Sequence, residues 1–347
     1  MSDIAERPDV PASVAELTVA WLDDAIRELP AFEGAAVAGF TEIGTGYGLA
    51  GSVARIEFRP GTKPSTAVLK CARRQQGLAE LTFYRDVAPR VPCRVPRCYG
   101  GWVDADPDAD RAVVLVLEAL PVDVQGDVLA GATIDQAHSA LAAAATFHAA
   151  FADTAPLSLP LLTYDTDTVR RRLNERTALF LQRHAETLPA AVLARINALP
   201  ARLDTGAAVL AAAPATLIHT DFHLDNVLFL DSGEPAVLDW PGARRGAAAI
   251  DVARFLVEGI ADALLPEHAA LVAHYRRSRA QAGAPVGPGF DDQLAAALDL
   301  QMAHSINWAG APPPAHDHPR VPKLVAALSR RTARLEALRA RSSINRG

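Results

Sequence analysis

The sequence predicts a bilobal α+β fold, with a small β-rich amino-terminal lobe followed by a larger, mostly helical carboxy-terminal lobe. Two observations support this prediction. Up to about residue 117, short apolar runs are separated by glycine- and proline-rich turns, which is the pattern of strands. From about residue 133, long alanine-rich stretches with helical spacing predominate. We therefore predict an amino-terminal lobe over residues 1–117 and a carboxy-terminal lobe over residues 118–347.

The amino-terminal lobe is predicted to contain one helix before its five strands and one helix between them. Residues 13–29 form the first helix in this prediction, because Ser13 followed three residues later by Glu16 is a capping-box pattern. Residues 77–87 have the apolar spacing of a second helix. The strands are predicted over residues 37–43, 52–59, 66–72, 95–103 and 112–117.

The carboxy-terminal lobe is predicted to be helical around one insert of short strands. Helical regions span residues 134–151, 166–212 and 247–341, and the second of these is divided into two or three helices by Pro189 and Pro200. The strands of the insert are predicted over residues 216–218, 227–229 and 236–238, around polar loops.

Composition excludes several classes of partner. The net charge of −6 creates no positive field that would attract nucleic acid or anionic lipid, and no apolar stretch is long enough to span a bilayer. We therefore predict no nucleic-acid and no membrane partner. The three cysteines include no C-x-x-C pair, and the first thirty residues lack an unbroken apolar run. These features predict a reducing compartment, the cytoplasm.

A glycine-rich stretch precedes the second predicted strand. Gly46, Gly48 and Gly51 have the spacing G-x-G-x-x-G, but they lead into an alternating strand pattern, whereas a dinucleotide-binding turn would lead into a helix. Between two antiparallel strands, glycines let the backbone close over phosphate groups because no Cβ intervenes. A simple mobile hairpin remains an alternative for this stretch.

A lysine lies within the apolar strand that follows. Lys70 requires an anionic partner if it is buried, and phosphate oxygens or a carboxylate from the next helix would serve. Glu80 is the candidate carboxylate. The alternative is a lysine on an edge strand that faces water.

The most informative stretch is H-x-D-x-H-x-D-N over residues 219–226, followed by an aspartate at the end of the next strand. Asp221 can accept a proton from a hydroxyl group, whereas Asn226 and Asp239 supply the oxygen ligands that Mg²⁺ prefers. Metal charge, positioning and a group that orients the nucleophile are what phosphoryl transfer requires.

Two other classes of function remain open from these residues. His219, Asp221 and His223 could instead be the ligand set of a metal-dependent hydrolase, although that hypothesis leaves the glycines and Lys70 without a role. A catalytically silent nucleotide-binding protein is the other alternative, which the presence of competent residues at every motif position disfavours.

Together these motifs resemble the aminoglycoside phosphotransferase/choline kinase family of small-molecule phosphotransferases, including its ecdysteroid-kinase-like branch. The order of motifs matches, the thirteen-residue separation of Asn226 from Asp239 is typical, and Asp251 resembles the buried helix aspartate that braces the catalytic loop in that family. The resemblance covers residues 40–260. It implies a protein-kinase-like fold and an enzyme that transfers a phosphoryl group from a nucleotide to an alcohol group.

The resemblance also implies roles for individual residues. Asp221 would be the catalytic aspartate in a loop over residues 219–239, with one or two Mg²⁺ ions held by Asn226 and Asp239. ATP or GTP would be the donor. The residues that would bind the nucleotide are Gly46, Gly48, Gly51, Lys70, Glu80, Glu118 and Leu120.

The acceptor is expected to be a small molecule with a hydroxyl group, bound by helical segments over residues 160–212 and 290–340. In the first segment arginines are at least as frequent as acidic residues, which favours a neutral acceptor, such as a nucleoside-type natural product or antibiotic, over a polycation. Resistance, self-protection or catabolism would then be the biological role. Thr220 departs from the family pattern, which has glycine at this place.

Overall fold

The computed structural model describes residues 4–44, 52–106, 108, 111–152 and 158–310, together with positions 323, 327, 331 and 334. The chain divides into two compact units. Unit 1 comprises Met1–Asp123 and Ala236–Ala243, and unit 2 comprises Val124–Pro235 and Arg244–Gly347. None of the helices in the described ranges combines the length and the apolar character that crossing a membrane requires.

Unit 1 is built around a six-stranded sheet of order β1-β5-β6-β4-β3-β2, in which β1 is parallel to β5 and the other neighbours are antiparallel. The predicted strands 37–43, 52–59, 66–72 and 112–117 form to within one residue at each end. The strand predicted over 95–103 begins only at Cys98, and β1 was not predicted. The strands are β1 Ile4–Arg7, β2 Val37–Ile43, β3 Ser52–Phe58, β4 Thr66–Arg73, β5 Cys98–Asp104 and β6 Arg111–Glu118.

Two helices complete the described part of unit 1: α1 Val19–Ile26 and α2 Arg74–Asp86. Leu22 and Ile26 of α1 belong to one buried apolar cluster with Leu69 of β4. Because successive side chains of a strand alternate between faces, Lys70 lies on the opposite face of the sheet, towards α2.

The prediction of one helix over residues 13–29 is wrong in its start. Residues Val14–Glu16 form a 3₁₀ turn, and α1 begins only after Thr18, whose side chain accepts a hydrogen bond from Trp21 N at 3.1 Å. Glu16 accepts from Ala12 N at 2.9 Å, so its carboxylate closes the turn instead of capping a helix.

Unit 2 is mostly helical, as predicted. Helices α5 and α8 pack against each other, α4 and α6 also pack against α8, and α3 packs against α7. The helices are α3 Ile134–Ala150, α4 Thr166–His184, α5 Ala190–Ala211, α6 Ala249–Glu258, α7 His268–Gln281 and α8 Phe290–Ala309. Pro189 precedes α5 as its N-cap, as the predicted division requires. Pro200 lies inside α5, which continues to Ala211, so the predicted division at Pro200 is wrong.

The insert between α5 and α6 forms the predicted short strands and one more. These strands are β7 Ala215–Ile218, β8 Val227–Phe229, β9 Pro235–Val237 and β10 Arg244–Ala247. Strand β10 pairs antiparallel with β7, with Arg244 opposite Ile218. The segment Ala236–Ala243, which the sequence analysis places in the carboxy-terminal lobe, groups with unit 1, where Val237 N donates to Arg94 O at 2.9 Å.

Candidate active site

Lys70 lies near the middle of the sheet of unit 1. Strand β4 is hydrogen-bonded on both sides, and Lys70 is opposite Val53 of β3 and Leu115 of β6. The alternative of an edge-strand lysine facing water is therefore wrong. Its side chain is 14% exposed, so the ammonium group has lost most of its hydration and depends on anionic partners.

Two carboxylates provide those partners. Lys70 Nζ donates to Glu80 Oε2 at 2.6 Å and also forms an ion pair with Asp239. Burial alone would lower the pKa of Lys70, but the charges of Glu80 and Asp239 outweigh it and hold that pKa above its usual value. Lys70 is therefore positively charged at neutral pH. Of its two partners, Glu80 is buried, whereas the side chain of Asp239 is 42% exposed.

The position of Asp239 is fixed by the residue that follows it. The Trp240 ring is buried and stacks on Phe83 of α2, with ring centroids 4.3 Å apart and planes 6° from parallel. Its Nε1 donates to Val237 O at 3.0 Å. Phe83 and Glu80 are one helical turn apart, so the same helix supports both carboxylates of the cluster.

In unit 2, the loop after β7 is held by Asp251, which lies in the first turn of α6 and is completely buried. Its carboxylate accepts from His219 N at 2.7 Å and from Thr220 N at 2.8 Å. The bracing contact that the family resemblance implied for Asp251 is present in the geometry. A buried carboxylate with several donors is a strong local anchor because each bond is charge-assisted.

Thr220, which stands where the family pattern has glycine, keeps the backbone conformation that glycine favours. Its φ is +68°, in the left-handed region that favours glycine and is rare for a β-branched residue. A glycine would adopt this conformation at little cost, whereas threonine requires compensation. The hydrogen bond from its amide to Asp251 is part of that compensation.

His148 is buried and contacts Asp251, and both of its ring nitrogens are engaged, so it is not available as a metal ligand. Its Nε2 is 3.1 Å from Asp251 Oδ2 and its Nδ1 is 2.9 Å from the Tyr275 hydroxyl. Burial lowers the pKa of His148 and outweighs the opposing effect of Asp251. A neutral ring that donates from Nε2 and accepts at Nδ1 satisfies both contacts.

Asp221 is presented by this loop with its side chain 45% exposed. Oδ1 accepts from Arg254 Nη2 at 2.6 Å, and Oδ2 is 3.4 Å from His223 Nε2. Partial burial would raise the pKa of Asp221, but the charges of Arg254 and His223 hold it well below the ordinary value. Asp221 is therefore ionised at neutral pH and can receive a hydrogen bond from a hydroxyl group.

Asn226 closes the loop. Its side-chain Nδ2 donates to Asp221 O at 3.0 Å and its backbone amide donates to His223 O at 3.0 Å. The neighbouring Asp225 accepts from Val128 N at 2.6 Å, which ties the loop to the segment before α3. Because Nδ2 is used inside the loop, Oδ1 is the atom of Asn226 suited to a hard cation.

The structure describes only some of the remaining residues that are predicted to bind the nucleotide. Gly46, Gly48 and Gly51 lie outside the described residues. Glu118, at the end of β6, accepts from Arg94 Nη2 at 2.5 Å and from Arg97 N at 3.0 Å, and Leu120 is half-buried after it.

The zinc-ligand hypothesis is not supported by the geometry. His219 is completely buried, and its Nδ1 accepts from Asp221 N at 3.3 Å. Across the part of the chain that the structure describes, no three histidine, cysteine, aspartate or glutamate side chains form a group that could hold a metal ion. Each unit offers an oxygen donor of the kind that Mg²⁺ takes beside phosphate oxygens: the Asp239 carboxylate in unit 1 and the Asn226 amide oxygen in unit 2. That these two residues are metal ligands stays a prediction.

Sequence reasoning did not identify Arg254 and Glu258 of α6. Both are less than a tenth exposed, and Arg254 Nη1 is 3.0 Å from Glu258 Oε1. The signal available in the sequence is two opposite charges four residues apart in a helix whose other residues, apart from Asp251, are apolar. Such residues are buried only when they are paired.

Comparisons with known proteins identify the family and the fold of this chain. A model of the phosphotransferase enzyme family matches residues 51–289, more than two thirds of the chain. The chain therefore belongs to the phosphotransferase enzyme family, and the predictions of its family and of a phosphotransferase with an alcohol group as acceptor are confirmed. No match was found among curated proteins.

Solved structures of low sequence identity share the fold. Spectinomycin phosphotransferase APH(9)-Ia, in complex with ADP and spectinomycin, has a TM-score of 0.65 at 11% identity, over 93% of this chain and 99% of that chain. The GDP complex of aminoglycoside 2'-phosphotransferase-IIIa has a TM-score of 0.58 at 13% identity, over 91% and 99%.

A protein from Ralstonia eutropha JMP134, assigned as an aminoglycoside phosphotransferase, has a TM-score of 0.58 at 16% identity, over 94% of this chain and 98% of that chain. These likenesses confirm the predicted kinase-like α+β fold, with a β-rich first part and a mostly helical second part.

Proposed function

We propose that this protein is a kinase that transfers the γ-phosphoryl group of ATP or GTP to a hydroxyl group of a small molecule, in the cytoplasm. The observation that carries the proposal is the buried Lys70, which is paired with Glu80 and Asp239 in a member of a phosphotransferase family. A permanently charged ammonium beside a half-exposed carboxylate suits a phosphate chain and its metal ion.

The proposed reaction breaks the bond between the γ-phosphorus and the oxygen that bridges it to the β-phosphate, while a bond forms from the acceptor oxygen to the γ-phosphorus. Asp221 orients the acceptor hydroxyl and receives its proton, and Lys70 contacts the α- and β-phosphates. Asn226 and Asp239 would hold one or two Mg²⁺ ions, which would supply positive charge to neutralise the phosphates. Gly46, Gly48 and Gly51 cover the phosphates, and Glu118 and Leu120 contact the base through backbone atoms.

We propose a neutral or weakly charged acceptor, such as a nucleoside-type natural product or an antibiotic, and a role in resistance or self-protection. Helix α4, in the segment proposed to bind the acceptor, carries five arginines and only two acidic residues. A polycation would be repelled by this excess of positive charge. One protein of similar fold binds ADP together with a small molecule, spectinomycin, which supports a nucleotide and a small molecule as the two ligands.

The first test is nucleotide binding. We expect ATP or GTP with Mg²⁺ at a hundredfold excess over Kd to raise the melting temperature by about 4 °C, because a ligand that binds only the folded state stabilises it by about 2.7 kcal/mol. Lys70→Met should remove most of the shift. The matched variant Lys63→Met changes an exposed lysine and should keep it. No shift with either nucleotide would refute the proposed donor.

The second test is acceptor-dependent turnover. We expect one or more hydroxyl compounds in a panel of neutral antibiotics, nucleosides and aminoglycosides to accelerate triphosphate consumption, with mass spectrometry showing a gain of one phosphoryl group on the acceptor. Neutral compounds should be better acceptors than polycations. Tight nucleotide binding without phosphorylation of any compound, and without slow triphosphate hydrolysis, would instead identify a catalytically silent binding protein.

A further inference from the structure

A continuous set of side-chain contacts in unit 2 connects α8 to the candidate catalytic aspartate. Gln301 Nε2 of α8 donates to Glu258 Oε1 at 2.7 Å. The same Glu258 oxygen is 3.0 Å from Arg254 Nη1, and Arg254 Nη2 donates to Asp221 Oδ1 at 2.6 Å. The two terminal nitrogens of Arg254, Nη1 and Nη2, thus contact one carboxylate each.

Burial makes this arrangement rigid. Arg254 and Glu258 are each 8% exposed and Gln301 is also buried, so the contacts among these three residues are made away from bulk water. A guanidinium is planar and presents its donors in a fixed fork. With Nη1 anchored on Glu258, the direction of Nη2 is determined, and the oxygen of Asp221 that it contacts is determined as well.

The two oxygens of Asp221 consequently have different surroundings. Oδ1 is engaged by Arg254, whereas Oδ2 is 3.4 Å from His223 Nε2, longer than an ordinary hydrogen bond. A carboxylate with one oxygen fixed cannot rotate freely about its terminal torsion. Oδ2 is then the oxygen that meets the incoming hydroxyl group.

We propose that Arg254, anchored by Glu258, is a positioning residue that fixes the Asp221 carboxylate with Oδ2 directed to the acceptor hydroxyl. This inference rests on the proposed role of Asp221. It adds Arg254 as the residue that connects Asp221, through Glu258, to Gln301 of α8. Arg254 itself touches neither the nucleotide nor the acceptor in this mechanism. Its contribution is geometric, since an error of about 1 Å in the position of a reacting group can cost about 100-fold in rate.

The test compares Arg254→Met with Arg254→Lys and with Arg276→Met, which removes an arginine from an ion pair with Asp291 on the surface of the same unit. Because the acceptor is not identified, slow hydrolysis of ATP or GTP by water is the measured reaction. We expect Arg254→Met to lower its kcat about 100-fold, with KM and the Kd of a non-hydrolysable Mg-nucleotide within threefold of wild type.

Arg254→Lys keeps one charged donor and should recover about tenfold of that loss, whereas Arg276→Met should retain wild-type kcat. A crystal structure of folded Arg254→Met should show the Asp221 carboxylate rotated or in more than one orientation. The inference is overturned if Arg254→Met keeps kcat within threefold, if its loss of kcat is matched by a loss of nucleotide affinity, or if Asp221 keeps its orientation in that crystal structure.

These outcomes are separate from failure of the proposed function. A wild-type protein that neither binds nor hydrolyses nucleotide would refute the kinase proposal, yet the orientation of Asp221 in the variant crystal would still decide whether Arg254 positions it.

Discussion

Asp221→Asn is expected to lower turnover about 10²- to 10⁴-fold, the usual scale for the loss of acid–base catalysis, while Mg-nucleotide affinity stays within threefold of wild type. The reason is local. The side chain of Asp221 contacts Arg254 and His223 in a loop held by Asp251, and its proposed partner is the acceptor hydroxyl, not the nucleotide.

Asp239→Asn is expected to behave differently. Asp239 forms an ion pair with Lys70, the proposed phosphate contact, and is itself a proposed Mg²⁺ ligand. Replacing its charge with an amide weakens a hard-cation site, so both turnover and Mg-dependent nucleotide affinity should fall. Calorimetric titration of each folded variant with a non-hydrolysable nucleotide, with and without Mg²⁺, measures the contrast.

Asp231→Asn is the matched control, because Asp231 lies exposed in the turn after β8 and has no proposed role. Its turnover and affinity should equal those of wild type. The assignment of roles is reversed if Asp221→Asn abolishes nucleotide binding while Asp239→Asn retains both binding and rate.

Among the substitutions considered, Asp251→Ala is expected to lower the free energy of unfolding most. Removing this buried carboxylate leaves His219 N, Thr220 N and the His148 ring without their acceptor, and each buried donor left unsatisfied costs about 1–3 kcal/mol. We expect the free energy of unfolding to fall by about 3–5 kcal/mol and the melting temperature by about 4–7 °C.

Asp135→Ala is the control for that experiment. Asp135 is also an aspartate in the first turn of a helix, α3, but it is exposed. Its loss removes the same interaction with the helix dipole, which is worth about 0.3–1 kcal/mol. Differential scanning calorimetry on both variants isolates the buried bonds. If the two variants melt within 2 °C of each other, Asp251 does not anchor the loop.

Local pattern predicted the strands and helices well where the residues involved are close in sequence. The strands over residues 37–43 and 227–229 form with the predicted bounds, because alternation or continuous apolarity between turn residues is itself the physical cause of a buried strand. The start of the first helix was mispredicted because Glu16 could close either a turn or a helix, and only the contact with Ala12 N distinguishes them.

Residue chemistry at short spacing also predicted the candidate catalytic loop, and it pointed to Asp251, whose carboxylate accepts hydrogen bonds from that loop. The types of residue at positions 219–226, 239 and 251 restrict what the loop can do, since carboxylate and amide oxygens bind cations and accept protons wherever they are placed. The left-handed backbone of Thr220 was visible only as a departure from a glycine pattern, and the structure supplies its reason in the bond to Asp251.

The sequence alone determined the family, the kinase-like fold and the candidate residues, because these depend on residue type, order and local periodicity. Only the tertiary structure shows which charged side chains form ion pairs with each other. The contact between Lys70 and Asp239 joins residues 169 positions apart, and the one between Asp221 and Arg254 joins residues 33 apart. No local pattern encodes such pairs, since burial selects them only when the whole chain packs and each desolvated charge requires a partner.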